Sequence, residues 1–220
     1  MKQAMLRGLT ALLLTVAPAA FSATYTYTGN AFAIATNSYT TSDFVFGEFT
    51  TAAPLAPNLS AQDISGLVLT WTFSDGVTTL SQADGIFADF NLIPGISVST
   101  DGAGDIIEWS IFARDVPLAT AVSETNTLIS TLNMPMAGVQ DQGAEDAVCN
   151  TVDLVPNCTS YGAGTPGLGV NFSSPGSWVT TLPPPPPAEP EGIPGLTGYA
   201  LALTGIGLLL LGMGRLRRRT

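Results

Sequence analysis

Leu67-Val68-Leu69-Thr70-Trp71-Thr72-Phe73 runs into Ser74-Asp75-Gly76 and returns through Val77-Thr78-Thr79-Leu80. The first seven positions carry the two-residue period of a half-buried strand. Leu67, Leu69, Trp71 and Phe73 are predicted to face a core, with Val68, Thr70 and Thr72 outward. Gly76 supplies the positive φ of a tight turn, so the whole stretch reads as a β-hairpin.

Neighbouring stretches repeat the pattern. Upstream, Thr24-Tyr25-Thr26-Tyr27-Thr28 alternates strictly, with both tyrosines on one face, and Ala31 to Thr36 alternates again after Gly29-Asn30. Phe44 and Phe46 share a face before Gly47, where a bulge is predicted, and Phe49 follows. Downstream, Ile96 to Thr100 enters Asp101-Gly102-Ala103-Gly104-Asp105 and leaves through a strand with Ile107, Trp109 and Ile111 on one face. Thr127 to Leu132 reads as another strand, and Val170 to Phe172 and Ser177 to Leu182 as closing strands. Ala137 to Gly169, rich in Gly, Pro, Asn and Asp, reads as a long loop region. Many short strands without a sustained helical period predict an all-β domain over 24–182, a single antiparallel β-sandwich of jelly-roll-like form.

The segments flanking this body differ in kind. Lys2 and Arg7, the apolar stretch Leu9 to Val16 and the small residues Ala17 to Ala23 have the order of a secretory signal over 1–23. Ala20 and Ser22 place cleavage before Ala23; cuts after Ala19 or Ala23, or an uncleaved anchor, are the alternatives. At the other end Pro183 to Pro187 begin a stiff linker over 183–192. No charged side chain lies between Gly192 and Gly214, and Arg215, Arg217, Arg218 and Arg219 follow. As a helix that stretch spans roughly 34 Å, enough for a hydrocarbon core of about 30 Å. The arginines mark the cytoplasmic side, so the predicted transmembrane helix over 193–214 ends in a cytoplasmic tail, 215–220, with the body outside.

Charge sharpens that division. The chain holds 17 acidic and 7 basic residues and no histidine. All 17 carboxylates lie between Ala23 and Gly192, where Arg114 is the one base, giving a net charge of −16. Such a body repels nucleic acid and anionic lipid. In an exported chain Cys149 and Cys158 are predicted to form a disulfide closing a short loop; two buried free thiols are the alternative.

The ending resembles the C-terminal sorting signals of bacterial surface proteins processed by exosortases, the PEP-CTERM and IPTL-CTERM classes. Ile193, Pro194 and Leu196 match the sorting motif, Thr197 stands for its Ser and Tyr199 for its Trp, while Gly195 and Gly198 depart from it. The body is similar to ectodomains carried by such signals, through Tyr27-Thr28-Gly29-Asn30, Gly47-Glu48-Phe49 and Pro54-Leu55-Ala56-Pro57-Asn58-Leu59. The resemblance implies a bacterial envelope or extracellular-matrix protein linked to exopolysaccharide and biofilm; the role expected of it is structural or adhesive, with a carbohydrate- or calcium-binding matrix module as the alternative and a glycoside hydrolase third. Its implied partners are signal peptidase, an exosortase-like enzyme and the membrane. A plain permanent anchor is the rival reading.

Little chemistry is available to this body. With no His and no Lys between the termini, Ser-His-Asp and Cys-His arrangements are excluded and zinc has almost no ligands. The chain is therefore read as a non-enzyme without a required cofactor. Among carboxylates, Asp89, Glu108 and Asp115 are the candidates for a glycosidase pair. Asp101 with Asp105, and Asp141 with Glu145 and Asp146, are the candidates for calcium, set against ordinary turn roles. Trp71, Trp109, Tyr39 and Tyr161 are the aromatics considered for stacking on a sugar, with core packing as the default.

Overall fold

A computed structural model of the chain describes residues 22–88, 94–135, 138–152, 158–161 and 167–184. The signal segment, Asp89, the linker beyond Pro184, the sorting motif, the span and the arginine tail lie outside these residues. Contacts divide the chain after Pro183, and every strand belongs to the N-terminal unit. Among the described residues there is no α-helix, only a single 3-10 turn over Ser65–Leu67, and thus no helix long and apolar enough to cross a membrane.

The protein is all-β, with antiparallel sheets. Among the described residues fourteen strands follow in order: β1 (Ala23–Thr28), β2 (Ile34–Thr36), β3 (Phe46–Thr51), β4 (Gln62–Asp63), β5 (Val68–Ser74), β6 (Thr79–Ser81), β7 (Gly85–Phe87), β8 (Ile96–Thr100), β9 (Ile106–Asp115), β10 (Thr125–Met134), β11 (Gly138–Val152), β12 (Cys158–Tyr161), β13 (Gly167–Phe172) and β14 (Ser177–Thr181). One sheet has the order β14-β1-β3-β5-β6; the other runs β2-β13-β11-β10-β9-β8-β4, with β12 beside β11 and β7 beside β9. The pairings β1–β14 and β2–β13 are nested, so each end of the chain contributes to both sheets.

The sheets share one aromatic core. Tyr25, Tyr27, Phe49 and Phe73 come from the smaller sheet; Ile96, Val98, Trp109, Ile111 and Ile129 come from the larger one, all buried. Trp178 of β14 joins them, its ring 5.1 Å from Tyr27 and 6.1 Å from Trp109. Each buried phenol also holds a loop: Tyr25 accepts the Leu55 N–H at 2.7 Å, and Tyr27 accepts the Gly176 N–H at 3.0 Å. The apolar body of a tyrosine fills the core while its hydroxyl satisfies backbone that would otherwise be stranded.

Of the strands predicted from alternation, β5 and β9 depart from it, each at a bulge. Thr50 pairs with Thr70 and Thr51 with Val68, so Leu69 is skipped; it is 51% exposed, while Val68 packs on the core. Leu67, in the 3-10 turn, is also exposed. Likewise Ser99 pairs with Glu108 and Thr100 with Ile106, which turns Ile107 to solvent and Ile106 inward. An extra residue in one strand swaps the faces of everything beyond it. Gly47 is no bulge: it sits in register between Tyr27 and Phe73.

The larger correction concerns Ala137 to Gly169, whose composition reads as loop. Gly138–Val152 is the longest strand among the described residues and lies inside the larger sheet between β13 and β10, and β12 and β13 follow it. Its small residues answer to what presses on them. Gly143 and Gly169 are register partners; a Cβ on Gly143 would collide with the Asp75 carboxylate, and one on Gly169 with the Phe32 ring. Glycine here makes room on a sheet face rather than marking a turn.

Candidate functional site

Along the inner face of β11 the core becomes polar. Thr131, Asp141 and Asn171 occupy one rung across β10, β11 and β13, and all three are buried. Trp109 Nε1 donates to Thr131 Oγ1 at 2.7 Å, Tyr27 donates from the opposite sheet to Asp141 Oδ1 at 2.7 Å, and Asn171 Nδ2 donates to the Ala31 carbonyl at 3.1 Å. Burial raises the Asp141 carboxyl above the ordinary range, only partly opposed by Thr131, Tyr27 and the Asn30 N–H. Its Oδ2 makes no hydrogen bond of good geometry.

A second tyrosine–aspartate pair lies along the same strand. Tyr39 donates to Asp75 Oδ2 at 2.6 Å, while the Val77 and Thr78 N–H groups donate to Oδ1 at 3.0 and 2.7 Å. Asp75 is the turn residue of the β5–β6 hairpin, fully buried against Gly143, and burial raises its carboxyl too. Burial first, then the neighbouring carboxylates, pushes the Tyr27 and Tyr39 phenols up. Glu145, next along this face, accepts from Ser38 and, at 3.3 Å, from Thr78. These groups work on each other: they tie two loops and a hairpin turn to the larger sheet.

A separate small cluster gathers at the far end of β9. Cys149 and Cys158 are bonded, with Cα atoms 5.7 Å apart, and pack with Ala119 and Tyr161. Arg114, 1% exposed, donates from Nη1 to the Cys158 carbonyl at 3.1 Å and to Tyr161 Oη at 3.3 Å, its guanidinium 5.5 Å from the Tyr161 ring centre. Asn126 completes the cluster, accepting from Ala119 N and Tyr161 Oη and donating to Asp115 Oδ1 at 2.8 Å. Glu124 takes the Thr120 and Ala121 N–H groups, which hold its carboxyl below the ordinary range.

Sequence-predicted residues fall into these structural roles. Asp101 Oδ1 accepts the Ala103 and Asp105 N–H groups and shapes the β8–β9 turn; Asp105 accepts from Thr180. Asp141 and Glu145 share the inner face of β11, whereas Asp146 has a left-handed backbone (φ 48°). Among the described residues no three carboxylate or thiol groups converge as a metal site. Glu108 accepts from Ser99, and Asp115 holds Asn126 and the Thr127 N–H. Seven positions apart on β9, Glu108 and Asp115 sit on opposite faces and ~23 Å apart, too far to flank one glycosidic bond. Trp71, Trp109 and Tyr39 are buried in the core and Tyr161 is half-buried beside Arg114.

The sequence reading missed the outer face of the smaller sheet. Three rungs cross it: Thr181, Thr24, Thr50 and Thr70; then Val179, Thr26, Glu48, Thr72 and Ser81; then Ser177, Thr28, Phe46, Ser74 and Thr79. A groove of about 310 Å³ lies there, with Thr26, Thr28, Phe46, Glu48, Thr72 and Thr79 in its lining. Phe46 is 41% exposed and braced by Phe44, ring centres 5.4 Å apart. The signal was present as the outward half of each Thr-rich strand, but only pairing shows that those halves form one surface. Comparison with protein-family models, with curated proteins and with solved structures finds no match to this chain.

Proposed function

We propose that this chain is an exported bacterial surface or extracellular-matrix protein with a structural or adhesive role in an exopolysaccharide-rich layer. It is released by signal peptidase near Ala23, and its Ile193-Pro194 ending and arginine-capped span anchor it or hand it to an exosortase-like enzyme. The two sheets are read as a β-sandwich, and the nested β1–β14 and β2–β13 pairings support the jelly-roll-like form. The observation that carries the proposal is the bonded Cys149–Cys158 pair in an acidic body flanked by a leader-like start and an oily, arginine-ended finish. Disulfides of this kind persist in oxidising compartments, and four arginines beside a span fix orientation. Most of the polar inner groups bond to one another across the two sheets, which supports a structural role.

The test is location and mass. Protease added outside intact cells should cut at the proline run, and the mature protein should start near Ala23. Loss of the residues up to Thr220 identifies sorting; a chain still ending at Thr220 identifies a plain anchor. A proline run cut only after lysis overturns the proposal.

A further inference from the structure

We propose that the outer face of the five-stranded sheet is a binding site for a neutral polysaccharide, with Phe46 as its stacking platform. This deepens the reading above and rests on it for the setting in which such a polymer is met.

The first argument is chemical. A pyranose ring offers an apolar C–H face and a rim of hydroxyls, so its sites pair an exposed aromatic ring with polar side chains around it. Phe46, 41% exposed, lines a groove of about 310 Å³. Thr26, Thr28 and Glu48 lie beside it, and none of their side chains is bonded to another described residue. The Thr50 and Thr70 hydroxyls instead bond to each other at 2.6 Å, which marks the edge of the available set. Threonines on successive strands repeat at about 4.8 Å and along one strand at about 6.7 Å, a regular array of methyl and hydroxyl groups.

The second argument is charge. The body carries 17 carboxylates against one guanidinium, and that guanidinium is buried. Yet the three rungs of this face hold a single carboxylate, Glu48, and no cation. A polyuronate would be repelled by the molecule at every approach. A neutral, hydroxyl-rich chain meets no such penalty and finds here a surface whose polar groups, Glu48 apart, are themselves hydroxyls.

Affinity electrophoresis of the detergent-solubilised mature chain tests this. Native gels are cast with dextran, mannan or hydroxyethyl cellulose as neutral probes and with alginate as the acidic one. Retardation is expected in at least one neutral gel and absent in alginate. Phe46→Ala should weaken it about tenfold or more, Phe46→Trp should restore it, and the paired change Thr26→Val with Thr28→Val should weaken it at unchanged melting temperature. Phe172→Ala, on an exposed ring of the other sheet, should leave it unchanged. Wild-type retardation of Phe46→Ala, retardation by alginate alone, or no retardation by any neutral gel overturns the assignment. Failure here with the proline run outside the cell removes the site and keeps the surface protein; retardation with the run inside does the reverse.

Discussion

The aromatic core and the disulfide cluster bury side chains by opposite means. Between the sheets, Tyr25, Tyr27, Phe49, Phe73, Trp109 and Trp178 meet ring against ring, and Tyr25 stacks on Phe49 at 4.9 Å. Around Cys149 and Cys158 the apolar content is Ala119 and part of Tyr161, and the largest buried side chain is that of Arg114. A cluster of that size removes too little apolar surface from water to offset the ordering of its loops. A covalent link and a set of hydrogen bonds from Arg114 and Asn126 replace the missing area. The lesson is that burial alone does not identify a core: one region is held by surface removed from water, the other by connectivity and satisfied polar groups.

That contrast can be broken at either end. Trp109→Ala should cost the whole domain about 3–5 kcal/mol, because it empties the centre of the aromatic packing and removes the indole N–H that Thr131 Oγ1 accepts; urea unfolding should show one earlier, cooperative transition. Replacing both Cys149 and Cys158 by Ala should cost roughly 2–3 kcal/mol by the loop-entropy argument. Hydrogen exchange should then quicken around Ala119, Cys149 and Tyr161 well before it does in β1, β3 and β5; uniform quickening would mean the two regions are one unit.

The smallest effect concerns the polar seam along the inner face of β11. Burial raises the Asp75 and Asp141 carboxyls in the folded chain, so as pH falls the folded form takes up these protons before the unfolded form does. Their contribution to stability is complete below the unfolded value of about 3.9 and is lost as pH rises through the raised folded values. Asp141→Asn should remove its share, and the melting temperature should climb less between pH 7 and pH 4 than in the parent chain. Parallel slopes in the two proteins would show that Asp141 keeps its charge throughout.

Much of the fold is legible in residue order. Tyr25, Tyr27, Trp71 and Phe73 point inward as alternation requires, and both hairpins turn where Gly76 and Gly104 take φ of +91°. Legibility fails where a local pattern meets a long-range one. Leu69 and Ile107 break the alternation because the partner strand, not their own sequence, decides which residue is skipped. Gly143 and Gly169 look like loop residues because the side chains they accommodate, Asp75 and Phe32, lie far away in sequence. Asp75 reads as a solvated turn carboxylate until the larger sheet closes over it. The Thr-rich face and its groove around Phe46 share this property, since five strands from distant parts of the chain compose it.

Thr24 lies directly across from Thr181, so the domain's first and last strands meet side by side in the smaller sheet. Adjacent strands stand only about 4.8 Å apart. Entry and exit therefore share a doorway, and the fold can be spliced into a longer polypeptide as a closed excursion that leaves the backbone on either side almost uninterrupted. A domain wired this way is portable: evolution can move it between hosts, or duplicate it in tandem, without redrawing a single strand pairing.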